Sequence, residues 1–459
     1  MANASEQLNS GVRAAGDVKI DEVVLITSSG EEINIKLYVG ELNLYEDMFR
    51  TGLYGNLLVV DNFNLTQSFA LTGDEFLRLK FSTPSMADSE IFKTFKVYSI
   101  TDRMMVNDAA KQSYIMHFVS PEIMIDALSP VYKTFSGTVD DVVKKIFENY
   151  IATSRTGGNQ FSTLNILGKT VNQVKFTSPG WRPLKCLNWL ASRALGSGYK
   201  SPGYVFFESN KGFYFANVEQ IIDNAIKTKQ LYQEYYYFAN NTFTPGFNRD
   251  SDIDTQYKLA EDFKVVESFN SLKNAQTGYL ANRLFTFDIV TKEYTIFDYD
   301  HVNNWNVYNH MGSIKGAAIP PYASGEIGMN TLRSPAGFNQ VALQHSLLYT
   351  GFRNNVHDRA SEILPRRLSN LNELQNIKIE ITVPGRTDAE IGSMVKFNYP
   401  DASPRDPSDL NKQKLDKLYS GYYLVTAIRH RVNLTRHIMI MELVKDSYSS
   451  IGNETWQVV

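Results

Sequence analysis

At 459 residues the chain has the length of about three domains, taking roughly 100–200 residues for each. Its 43% hydrophobic and 21% charged residues are the usage of folded globular chains, which excludes general disorder and fibrous repeats. The 46 Lys and Arg residues against 49 Asp and Glu residues leave a formal charge of -3, so no global positive field exists to grip phosphate.

Residues 1–17 are small and polar and hold too little apolar surface to fold alone, so they read as an arm. They lack the basic and apolar regions of a signal peptide, and no run of about 18 apolar residues follows, so a cytoplasmic product without a membrane-spanning segment is expected. Residues 18–130 are strand-like. Glu22–Thr27 and Ile33–Val39 flank a Ser29-Gly30 turn and predict a hairpin; Tyr54–Asp61, Glu75–Phe81, Phe92–Ile100 and Ser113–Val119 add four strands at barrel-like spacing. A first antiparallel barrel is expected.

In residues 131–222 the period changes. Thr138 can cap a helix with Asp140 and Asp141 in its first turn and Val139, Val142, Val143, Ile146, Phe147 and Tyr150 on one face. Pro183 opens a second helix with Leu184, Leu187, Leu190 and Ala194 on one side and Gly196 as its stop, and Tyr204–Glu208 with Gly212–Ala216 predicts a hairpin. Residues 131–222 thus read as an α/β module.

Residues 223–375 read as a mixed α/β region contributing strands to a second barrel: Gln233–Ala239 as a strand, Asp254–Leu272 as a helix through Tyr257, Phe263, Val266 and Phe269, and Leu284–Val290 with Glu293–Tyr299 as a hairpin. Residues 301–355 are an irregular excursion rich in Gly, Asn and Pro, and His357–Leu374 reads as a helix despite Pro365. In residues 376–448 the strands Ile377–Val383, Ser393–Phe397, Gly421–Ile428 and Ile438–Val444 predict a second barrel, followed by a tail over 449–459. The fold class expected is α+β, β-rich and multidomain. The 26 Tyr and 27 Phe suit sheets and large contact surfaces.

Several motifs come near a chemistry and stop short. Gly168-Lys169-Thr170 ends like a phosphate loop, but Thr163 stands where its first glycine belongs. Asp250, Asp252, Asp254 and Glu261 occupy calcium-loop positions, yet Thr255 replaces the turn glycine, so an acidic turn opening a helix is favoured over an ion site. Asp298, Asp300 and His301 are ligand types without a second cluster, and His117, His310, His345, His357, His430 and His437 show no zinc-protease spacing. The lone Cys186 excludes an internal disulfide and a thiolate zinc site and falls inside an amphipathic helix. No catalytic, cofactor-binding or metal residue is assigned, and no enzyme is expected.

The order of barrel, α/β module, mixed insertion and second barrel resembles the baseplate central hub proteins of contractile-tailed, T-even-like phages. It also resembles the hub part of type VI secretion spike proteins. The likeness is carried by Leu53-Tyr54-Gly55 with Leu57–Asp61, Gly73–Leu77, Val97–Ile100 and Phe118–Glu122, by Trp181-Arg182-Pro183 leading to Trp189-Leu190-Ala191, and by Ile391–Phe397 and Tyr422–His430. Tyr54, Gly55, Gly73 and Gly392 carry over as turn and barrel positions. The arm, the 301–355 excursion and the charged loop Asp401–Lys417 depart from the family.

The resemblance implies a homotrimer whose two similar barrels per subunit make a ring of pseudo-sixfold symmetry in the virion tail baseplate. Its implied partners are a central spike protein, a tail tube or tube-initiator protein and baseplate wedge proteins, with DNA passing through the channel without specific binding. It implies no cofactor. A receptor- or carbohydrate-binding tail protein and a cell-wall hydrolase are the alternatives.

Overall fold

The strand alternation read from the sequence is realised as one row of apolar side chains per strand turned inward. The computed structural model describes residues 14–69, 71–84, 89–105, 111–152, 162–228, 231–237, 253–268, 270–288, 292–315, 359–401 and 415–448. The first strands are β1 (Lys19–Ile26), β2 (Glu32–Asn34), β3 (Val39–Asp47), β4 (Tyr54–Asp61), β5 (Phe76–Ser82), β6 (Glu90–Met105) and β7 (Gln112–Val119), with a short helix α1 (Leu65–Ser68) after β4. They lie in the order β2-β1-β5-β6-β7-β4-β3, and Leu25, Leu44, Leu57, Leu79, Phe95 and Phe118 meet in one core.

Two corrections follow. The second strand of the expected hairpin stops at Asn34, and after a 3-10 turn over Lys36–Tyr38 the chain starts β3, which the sequence reading passed over. Among the described residues no ladder joins β2 back to β3, so the sheet wraps its core without the expected closure by hydrogen bonds. Of the four turn and barrel positions, Tyr54 and Gly55 lie inside β4, where a Cβ on Gly55 would stand 2.4 Å from both Asn43 O and Phe118 Cζ. Gly73 and Gly392, at φ +95° and +82°, are true turn glycines.

Next come α2 (Pro121–Leu128), β8 (Thr134–Thr138), α3 (Val139–Tyr150), β9 (Leu164–Leu167), β10 (Gln173–Thr177), α4 (Pro183–Ala191), β11 (Tyr204–Ser209), β12 (Gly212–Asn217) and α5 (Val218–Thr228). Thr138 Oγ1 accepts the Asp141 N–H at 3.4 Å, and both aspartates complement the positive end of α3. The apolar face of α3 meets Leu187 and Leu190 of α4 and Phe206, Phe213 and Phe215 of the β11–β12 hairpin. Glu208 ties that hairpin to the first sheet: its carboxylate accepts Leu53 N–H at 3.0 Å, Ser120 Oγ–H at 2.5 Å and Lys93 Nζ at 2.8 Å.

The remaining elements are β13 (Gln233–Tyr237), α6 (Ile253–Tyr257), β14 (Leu259–Ala260), β15 (Asp262–Glu267), α7 (Ser271–Gln276), β16 (Ala281–Phe287), β17 (Tyr294–Asp300), α8 (His301–Asn304), β18 (Ile314–Lys315), α9 (Ala360–Leu374), β19 (Ile377–Pro384), β20 (Met394–Asn398), β21 (Gly421–Val432), β22 (His437–Lys445) and β23 (Ser447–Tyr448). The helix expected over Asp254–Leu272 is overturned. Only Ile253–Tyr257 and Ser271–Gln276 are helical, because Phe263 and Val265 alternate inward on a strand that pairs with β19. Packing against the second core overrides a spacing that fits either period. The second set of strands is not purely antiparallel either, since β13 runs parallel to β20 and β14.

β21 joins everything. Its Gly421–Leu424 end pairs with β20, its length pairs with β22, and its Ala427–Val432 half pairs with β3. The two sets of strands, expected as separate barrels, are therefore one 14-stranded sheet.

Candidate functional site

The near-motifs serve local structure. Thr170 Oγ1 accepts the Asp140 N–H at 3.1 Å, so Gly168-Lys169-Thr170 supports the start of α3. Asp250 and Asp252 lie outside the described residues, Asp254 sits in the first turn of α6, and Glu261 pairs with Arg436. Asp298 pairs with Arg283, and Asp300 caps α8 through the Asn303 N–H at 3.0 Å. His345 and His357 lie outside the described residues, and burial raises the pKa of the Cys186 thiol. Among the described residues no group of three or more His, Cys, Asp or Glu could hold a metal ion. No described helix is long and apolar enough to cross a membrane.

A buried polar cluster holds the start of the excursion. Glu373 on α9 accepts His301 Nε2 at 2.9 Å and Trp305 Nε1 at 2.8 Å. His310 Nδ1 lies 3.0 Å from Asp446 Oδ2, and its Nε2 lies 2.8 Å from the Trp305 carbonyl oxygen. Both ring nitrogens face acceptors, so both carry protons and the ring is cationic. Burial opposes that charge, but the bond to Asp446 and the charges of Asp446 and Glu373 raise the pKa to about 9. The ring stacks on Trp305 at 3.9 Å. Glu219, Glu373, Asp446 and Asn370 line a cavity of about 40 Å³ beside it, space enough for ordered water. Spread over four stretches of chain, this cluster gave no sequence signal.

A second buried cluster lies under the seam. His430 on β21 sits 3.0 Å from His437 on β22 and 3.1 Å from Glu46 on β3, all three buried. Burial and the neighbouring His430 hold the His437 pKa well below the ordinary value.

On the opposite side of the seam, the outward residues form one continuous face. Paired residues point to the same side of a sheet, so the registers define a row across eight strands: Asp262, Thr382, Ile440, Arg429, Tyr45, Tyr54, Val119 and Lys96. The strands are β15, β19, β22, β21, β3, β4, β7 and β6, and every ladder between them is antiparallel. At its centre Tyr45 and Tyr54 stack at 4.9 Å, with Arg50 over Tyr54 at 4.6 Å and Arg429 over Tyr45 at 5.7 Å.

Charges on this face are compensated locally. Arg431 and Arg429 approach Glu41 at 2.7 and 3.7 Å, Lys378 pairs with Glu442 at 3.1 Å, and Arg50 lies 3.5 Å from Asp47. Paired in this way, these cations build no strong positive field.

No protein-family pattern and no curated protein sequence matches the chain. Among solved structures, a tail protein from Neisseria meningitidis MC58 is 9% identical, with a TM-score of 0.49, covering 93% of this chain and 96% of its own. A 43 kDa tail protein of prophage MuSo2 from Shewanella oneidensis is 8% identical, with a TM-score of 0.47, covering 93% and 98%. An E. coli component of the type VI secretion system is 8% identical, with a TM-score of 0.38, covering 96% of this chain and 80% of its own. Likeness at this level assigns no function to the chain.

Proposed function

We propose that this chain is the structural hub of a contractile phage tail baseplate, a homotrimer that adapts a sixfold tail tube to a threefold central spike and surrounds the DNA channel. The observation that carries the reading is the eight-strand face, to which each half of the chain gives four strands joined by β3 and β21. Three copies then present six similar units to a tube and three to a spike. In this reading residues 18–130 and 376–448, with strands from 223–375, are the tube-like halves, residues 131–222 are the α/β module, and wedge proteins surround the ring. The face would line the channel. Arg50, Arg429, Arg431, Lys378 and Lys96 on this face each have a carboxylate within 4.0 Å, which leaves these cations already partnered and weakens their grip on a phosphate backbone.

The role proposed is mechanical, with no catalytic step. A carbohydrate-binding tail protein needs open aromatic platforms. Phe206, Phe207, Phe213 and Phe215 are buried, Lys185 sits over Trp181 at 4.7 Å and Arg193 over Trp189 at 4.3 Å, while the most exposed aromatics among the described residues, Phe63 and Tyr132, lie on separate segments. The test is the solution mass of the purified chain by light scattering, alone and mixed with the spike protein encoded beside it. A trimer, or a three-to-three complex, supports the hub. A chain that stays monomeric in both mixtures refutes it and returns attention to glycan binding.

A further inference from the structure

The buried residues under the seam form one short chain of hydrogen bonds. His430 Nε2 faces Glu46 Oε1 at 3.1 Å and therefore carries a proton, which it donates. His430 Nδ1 faces His437 Nε2 at 3.0 Å, and two ring nitrogens bonded to each other hold a single proton between them. With both rings neutral, His437 Nε2–H donates to His430 Nδ1, and the bare Nδ1 of His437 ends the chain. That last nitrogen is buried and has no hydrogen-bond partner. The Gly385 backbone closes over it: a Cβ on Gly385 would stand 2.1 Å from His437 Cγ and 2.4 Å from Nδ1.

A further proton finds no acceptor in this arrangement. Placed on His437 Nδ1, it makes a buried N–H that points at Gly385. Placed on His430 Nδ1, it turns His437 Nε2 into the acceptor, and the proton that His437 held moves to Nδ1 and meets the same end. Either way a buried imidazolium is joined by an orphan N–H, and each opposes the closed state. Among the described residues Glu46 on β3 is the charged group bonded to the pair. Phe81 on β5 meets His437 edge-on at 5.7 Å. Asn210 donates its N–H to Glu46 Oε2 at 3.1 Å, with Lys211 and Glu390 paired beyond it at 2.9 Å. Arg429 and Arg431 leave β21 on the opposite side and pair with Glu41.

His437 is also a backbone node. Its N–H donates to the Gly16 carbonyl at 2.7 Å, and its carbonyl accepts the Gly385 N–H at 2.8 Å. A ring that turns to find an acceptor thus disturbs the base of the arm, the turn after β19 and the β3–β21 ladder together. We propose that the His430–His437 pair is an acid-operated latch on the seam: neutral rings hold β3 against β21, and an added proton opens that ladder. The depressed pKa of His437 has the matching sign. The opened ring binds a proton that the closed one rejects, so the latch is at full strength above about pH 6.5 and its opening constant rises about tenfold for each pH unit below. The latch works within one chain and does not depend on the hub reading.

Amide hydrogen exchange of the full chain tests the latch, read by mass spectrometry at two pH values, about 7.5 and about 5, and corrected for intrinsic exchange. The opening constant of residues 42–46 and 427–432 should rise about thirtyfold between the two. That of α3 and α4, which pack in a core of their own, should stay unchanged. In His437→Gln the amide still donates to His430 but takes up no proton, so its seam should open equally at both pH values. The latch is overturned if the wild-type seam shows no acid opening, if α3 and α4 open along with it, or if His437→Gln keeps the pH dependence. Should that variant fail to fold, the wild-type comparison of seam against α3 and α4 decides alone.

Discussion

His310 makes the stability of the chain depend on pH in a direction fixed by its geometry. The imidazolium lies between Asp446, Glu373 and the Trp305 carbonyl, near buried Glu219 and His301, and holds residues 305–311 against α9 and the end of β22. Its folded pKa of about 9 stands above an unfolded value of 6.5, so folding binds its proton. The stabilisation is complete below pH 6.5, declines between 6.5 and 9, and is gone above. A gap of that size corresponds to about 3 kcal/mol.

The perturbation is His310→Gln, which cannot take the charge. Urea denaturation of both proteins at pH 6, 7.5 and 9.5 gives the difference in stability at each pH, and titrating groups away from His310 cancel in that difference. Wild type should exceed the variant by about 3 kcal/mol more at pH 6 than at pH 9.5. A difference that is constant across the range would refute the charged assignment of the ring, whatever its size.

Removing the Glu208 carboxylate with Glu208→Ala should lower stability by about 2–3 kcal/mol, because the Leu53 N–H and the Ser120 hydroxyl lose their buried acceptor and Lys93 keeps only the Ser209 carbonyl. Calorimetry checks this, and Glu208→Ala with Lys93→Met should recover part of the loss; a loss below about 1 kcal/mol would mean that water replaces the carboxylate. Gly55→Ala should destabilise the first sheet by about 1–3 kcal/mol, since the new methyl meets Phe118 Cζ and Asn43 O at 2.4 Å. An unchanged melting temperature would show that β4 shifts to admit it.

Much of the fold was legible because its periods are clean. The Thr138 cap, the apolar face of α3, the β11–β12 hairpin and the terminal strands stand where the alternation and capping residues put them. The errors have physical causes. β3 was missed because Glu46 occupies an inward position, where His430 of a distant strand accommodates it, so the pattern Leu42, Leu44, Glu46 looks broken in isolation. β15 was misread because Tyr257, Phe263, Val266 and Phe269 fit a helical spacing until β19 selects the alternate residues.

By itself the sequence determined which segments bury which faces, that no thiolate or disulfide staple holds them, and that the net charge is close to neutral. Only the tertiary structure decided that the two halves share one sheet, that Tyr45, Tyr54, Arg50 and Arg429 stack at its centre, and that His310 carries a charge. Periodicity is a property of neighbours along the chain. The register of Arg429 on Tyr45, 384 positions apart, is set by cores and hydrogen bonds that exist only once the strands meet.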